Sequence, residues 1–222
     1  MDSMFRTLSI VSFVIVLVGV IIHLIIFRPK ADRLFGADRR LRILDPLRVL
    51  VFLLTLLFVP QNLTLVGVLR KLIYLLTLLC FLVLLVTGFC PRVFFGKQIS
   101  GYWLMLHATA APVFAACLAI LAVMWADNCR LDKNYLPWLQ KILQRRVKSQ
   151  AVPEKHELTQ KLTFWIIMFL ALPVIISIVL SMFPLFGTAW QELLAQVHRY
   201  CALALALVVI VHTYLMVRTE WI

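Results

Sequence analysis

Charge is scarce in this 222-residue sequence: only 14% of the residues carry it, against roughly a quarter in an ordinary soluble domain. Acid is scarcer still, with 10 Asp and Glu beside 22 Lys and Arg. No two of the five cysteines form C-x-x-C or C-x-x-C-H. A clustered-cysteine metal site and a thioether-linked haem therefore find no support. No Ala-x-Ala-like cleavage site accompanies the first apolar run, which starts near Leu8. That run is read as a mature helix and not as a signal peptide. Little sequence lies outside the apolar runs, so one membrane domain is expected and no separate catalytic domain.

What is present is hydrophobic: 63% of the chain, gathered into long runs. About 20 apolar residues suffice to cross a bilayer. Runs at about 8–27, 66–90, 101–126, 163–183 and 191–217 meet that length. The segment 47–59, ended by Pro60, is apolar but too short for a full span and reads as an interfacial helix.

The net charge of +12 would suggest nucleic acid or another acidic partner in a soluble protein. Here the basic residues flank apolar runs, so they report topology and a lipid-bilayer partner, with no nucleic acid expected. If 47–59 does not cross, only Arg6, Arg92, Lys97 and Arg199 fall on one side, which leaves 18 of the 22 on the other. The positive-inside rule prefers this arrangement. The expected protein is all-α and integral to the inner membrane of a prokaryote. Its N-terminus lies outside and its C-terminus in the cytoplasm. Residues 1–65 form an N-terminal helix, a basic loop and the interfacial helix. Residues 66–222 form a four-helix core with a cytoplasmic loop at 127–161.

A shift of 91 residues superposes two halves of the chain. Gly96 falls on Gly187 and His107 on His198, each half reading as helix, Phe-Gly turn, then a helix with an early His. Two helical hairpins follow, unless Leu-rich composition alone produces the likeness.

Four of the five histidines lie in spans: His23, His107, His198 and His212. His156 sits among charged residues and reads as solvated. Coordinating groups inside a bilayer are costly and therefore functional candidates. His198 and His212 are 14 residues apart, about 40° short of four full turns and about 21 Å along the axis. One lies toward each membrane surface, on one helix face. With five spans, His107 shares the level of His198, and His23 that of His212. Two matched pairs suit two haems stacked across a bilayer. The same residues are also compatible with a proton- or metal-coupled transporter, or with hydrogen bonds in a haem-free membrane anchor. The alanines near His107, and Ala195, Ala202, Ala204 and Ala206, leave room for a flat macrocycle or for close helix packing. Arg199, Arg92 and Lys97 are placed for haem propionates or for ordinary interfacial roles.

The last hairpin, from Lys161-Leu-Thr-Phe-Trp through Val-His198-Arg-Tyr and Val-His212-Thr-Tyr, resembles the di-haem cytochrome b subunits of membrane-bound formate dehydrogenase and related oxidoreductases. The likeness covers about residues 66–217. It implies two non-covalent b-type haems as cofactors, with His107, His198 and His212 as axial iron ligands. That family takes its fourth ligand from the first core helix, and here 66–90 holds no His. His23 is the intramembrane candidate left. The resemblance further implies a non-autonomous electron-transfer subunit that works between quinone, such as menaquinone, and partner redox subunits. Arg28, Asp45, Tyr214 and Arg218 on one side, and Tyr102, Gln191 and Glu192 on the other, are quinone-pocket candidates. The loop 127–161, with Trp138, is a docking candidate for a partner subunit.

Overall fold

The structure, a computed structural model, describes residues 2–26, 65–130, 155–183 and 187–219. The segment 47–59, Arg28, Asp45 and Trp138 lie outside the described residues. Among the described residues all regular structure is helical. The helices are α1 (Asp2–Ile26), α2 (Leu65–Phe95), α3 (Gly101–Trp125), α4 (Lys155–Met182) and α5 (Thr188–Thr219). All five are long and apolar enough to cross a membrane. Their lipid-facing positions stay apolar and open, as Leu17, Leu79, Val123, Phe169 and Leu193 show.

The helices outrun the apolar runs. Helix α4 begins at Lys155, eight residues before the apolar stretch at 163, because backbone hydrogen bonding continues into the polar interface. Hydroxyls inside the spans are satisfied within their own helix. Ser9, fully buried, donates to the carbonyl of Phe5 at 2.8 Å.

Helices α2 and α3 pack as one antiparallel hairpin, α4 and α5 as another. Gly96 (φ 63°) and Gly187 (φ 82°) take left-handed backbone at the two turns, as the 91-residue repeat requires. Only glycine adopts that conformation cheaply. A Cβ on Gly187 would meet nothing within 4 Å. Gly187→Ala is therefore expected to cost only the conformational strain, roughly 1–2 kcal/mol, read as a lower melting temperature in detergent.

Helix α1 runs antiparallel to α2 and parallel to α5. Near its start, Arg6 Nε donates to the carbonyl of Val93 at 3.0 Å, and Phe5 meets Tyr200 edge-on at 5.3 Å. Near its end, His23 bonds Tyr214. The end of α1 and the start of α2 therefore share one face of the bundle. Among the described residues, the observed arrangement is five helices long enough to span, with α1, α3 and α5 parallel.

The four helices α2–α5 meet in an apolar layer at mid-height, built from Cys80 and Phe81, Phe114 and Leu118, Ile167 and Ala171, Leu205 and Ala206. All five cysteines are free thiols. At the end opposite the glycine turns, the Trp165 indole donates to the carbonyl of Cys129 at 2.9 Å and ties the two hairpins together.

Candidate functional site

The apolar layer separates two polar levels. On α5, Leu205 and Ala206 lie midway between His198 and His212, about 10 Å from each along the axis. The level nearer the glycine turns holds His107, His198, Thr87 and the carbonyl of Val174. The other holds His212, Thr163, His23 and Tyr214.

In the first level, His107 and His198 project from α3 and α5 within electrostatic reach of each other. Both rings are half-buried. His198 Nδ1 lies 3.0 Å from the carbonyl oxygen of Val174 on α4. A carbonyl can only accept. Nδ1 therefore carries the proton, and the Nε2 lone pair is available to a Lewis acid.

His107 reaches the same state through a hydroxyl. Thr87, 1% exposed, has its Oγ1 2.7 Å from the carbonyl of Val83 and 2.9 Å from His107 Nδ1. Two oxygens 2.7 Å apart attract only with a proton between them. The single hydroxyl proton is thus spent on Val83, and Nδ1 must donate to Oγ1. Under the 91-residue shift, Val83 corresponds to Val174. The equivalent carbonyl ends both chains of hydrogen bonds, directly for His198 and through Thr87 for His107.

His212 repeats the hydroxyl arrangement. Thr163 Oγ1 lies 2.9 Å and 3.0 Å from the carbonyls of Thr159 and Gln160, and 2.8 Å from His212 Nδ1. Its proton is likewise committed, so His212 also donates from Nδ1 and keeps Nε2 open. His23 shares this level, with its Nδ1 bonded to the Tyr214 hydroxyl. Tyr214 lies two residues beyond His212, about 200° around the helix. His23 therefore meets α5 on a different face from His212.

Three imidazoles in one tautomer, at two levels, fit axial ligation of haem. A metal-bound imidazole characteristically donates its other ring nitrogen to a carbonyl or another acceptor. No group of three or more His, Cys, Asp or Glu suited to a bare metal ion occurs among the described residues. A porphyrin asks the protein for only two axial donors.

The basic candidates fall at the first level. Arg199 is half-buried beside His198. The Arg92 guanidinium stacks 5.4 Å from the Phe5 ring, and Lys97 is exposed. Among the quinone candidates, Tyr102 and Glu192 are exposed, and Gln191 Nε2 donates to the carbonyl of Ser181 at 3.4 Å.

Thr87, Thr163 and the Val174 carbonyl are what sequence reasoning passed over. Hairpin geometry carried a signal, because residues equidistant from a turn share a level. Thr87 and His107 flank Gly96 nearly symmetrically, as Thr163 and His212 flank Gly187.

The prokaryotic cytochrome b561 family matches residues 70–222, well over half of the chain, and leaves α1 outside. The match is to a membrane cytochrome b and does not single out the formate dehydrogenase subunits. Comparison with curated proteins and with solved structures finds no match.

Proposed function

The chain belongs to the prokaryotic cytochrome b561 family and is a membrane b-type cytochrome of electron transfer, and on that premise we propose that it moves electrons between a quinone pool, such as menaquinone, and a partner redox subunit. His107 and His198 would hold one b-type haem, and His212 and His23 would hold a second. The observation that carries this reading is a shared contact: Nδ1 of His107, His198 and His212 each lies against an oxygen that can only accept, which implies a proton on Nδ1 and an open Nε2. Bound haem supplies one-electron carriage, and ligation by two histidines leaves no coordination position for oxygen.

The protein's own contribution is to orient the rings, exclude water and neutralise charge. Arg199, half-buried beside His198, would pair with a haem propionate. Gly88 leaves clearance for the His107 ring, because a Cβ there would sit 3.3 Å from its Cε1. Gly88→Ala is expected to lower occupancy of the His107–His198 site and leave the other site filled, as read from haem content per chain. The basic bias of the loops supports an N-terminus outside and a C-terminus in the cytoplasm.

A visible spectrum of the purified protein tests the reading. Sharp reduced α and Soret bands, with two haems per chain, are expected. A colourless protein that takes up no added haem would overturn it.

A further inference from the structure

We infer that Thr87 and Thr163 are positioning residues, each fixing the tautomer of one ligand histidine and setting the reduction potential of one haem independently of the other. The inference rests on the haem-binding reading above and goes beyond it, from which residues ligate to what tunes them.

The geometry leaves each threonine one role. A hydroxyl has one proton and two lone pairs. Thr87 spends the proton on Val83 and Thr163 spends it on Thr159 and Gln160. Each oxygen then offers the adjacent imidazole only a lone pair. A ring protonated at Nε2 would set its Nδ1 lone pair against that oxygen and point a proton at the iron position. Donation to the backbone carbonyl also polarises the hydroxyl, which strengthens it as an acceptor. The stronger the acceptor at Nδ1, the more basic the ligating Nε2. A more basic ligand favours ferric over ferrous iron and lowers the potential.

The two relays belong to different levels. Thr87 lies on α2 and faces α3, while Thr163 lies on α4 and faces α5, with the apolar layer between them. Neither shares a hydrogen bond with the other, so their effects should be separable. His198 has no hydroxyl at this point, because its Nδ1 reaches Val174 directly. The chain therefore has a threonine handle on one ligand of each proposed haem.

The test is Thr87→Val and Thr163→Val, which keep the side-chain shape and remove the hydroxyl, beside Thr→Ser, which retains it. Midpoint potentials of both haems are measured by redox titration of the purified full chain. Thr87→Val is expected to raise the potential of the His107–His198 haem alone, and Thr163→Val that of the other alone. A tenfold change in the reduced-to-oxidised ratio, about 59 mV for one electron, is the expected size. The Ser variants are expected to stay near the parent values. A fully loaded Val variant with unchanged potentials, or with both haems shifted alike, overturns the inference. If a Val variant loses its haem, retention in the Ser variant supports the relay, and loss in both overturns it. If the parent protein takes up no haem, the haem reading fails. Nitrogen-15 NMR of the histidine rings then decides the tautomer separately. Nδ1-protonated His107 and His212 that change in the Val variants support the relays. Nε2-protonated rings, or rings indifferent to the substitution, overturn them.

Discussion

His198→Ala is expected to remove one of the two proposed haems. The ring shares the level of His107 with its Nδ1 bonded to Val174, so alanine would delete a proposed haem ligand and leave that carbonyl without its imidazole partner. A bis-His site with one ligand gone holds haem weakly, since the bond lost is to the iron itself. His107→Ala is expected to empty the same site and His212→Ala the other. The double variant His107→Ala/His198→Ala should lose no more haem than either single variant, because residues that act as a unit are not additive. Haem content per chain and potentiometric titration check this. Two intact haems in His198→Ala would sink the ligand assignment at its best-supported point.

His23→Ala is expected to empty the second site, and Tyr214→Phe is expected not to. The reasoning begins from an absence: α2, Leu65–Phe95, contains no histidine. The helix that supplies one instead is α1, which lies outside the residues matched by the family. Helix α1 runs parallel to α5 and brings His23 to the level of His212. Its ring is held by Tyr214, about 200° around α5 from His212. To ligate a haem held by His212, the His23 ring, whose Nδ1 bonds Tyr214, must turn toward the face of α5 that carries His212. Tyr214→Phe removes the competing hydrogen bond and keeps the aromatic ring, so retention of the second haem should equal or exceed that of the parent. His23→Ala should lose it. Should His23→Ala keep both haems at unchanged potentials, the fourth ligand is not His23.

The helix number, the hairpin repeat and the two histidine levels were legible in the sequence for identifiable reasons. A bilayer demands long apolar runs, and a helix period fixes which face His198 and His212 share. Gly96 and Gly187 marked the turns because their backbone takes φ values that other residues avoid. The helix ends were not legible. Hydropathy reports the lipid-embedded middle of a helix, while α4 and α5 continue into polar sequence. The hydroxyl partners were missed for a different reason. A threonine in an apolar helix reads as one satisfied by its own backbone, which Thr87 and Thr163 are. That the same oxygen also accepts from a neighbouring ring depends on how two helices pack, and no single helix encodes that. The direction in which His23 points was hidden likewise, because its depth follows from residue number but its azimuth depends on how α1 leans on α5.

The apolar layer of Phe81, Phe114, Leu118, Ile167 and Leu205 has a consequence for energy conversion. Among the described residues, those that build this layer carry no hydroxyl, carboxylate or imidazole along which a proton could follow an electron. If both histidine levels hold haem, an electron passed between them would cross this layer as uncompensated charge. Such a transfer would be electrogenic. It works with or against the membrane voltage at about 2.3 kcal/mol per 100 mV for a full crossing, in proportion to the depth traversed. The bundle would then act as one plate-to-plate path of a capacitor, and its turnover in energised vesicles would respond to voltage even at fixed quinone and partner concentrations.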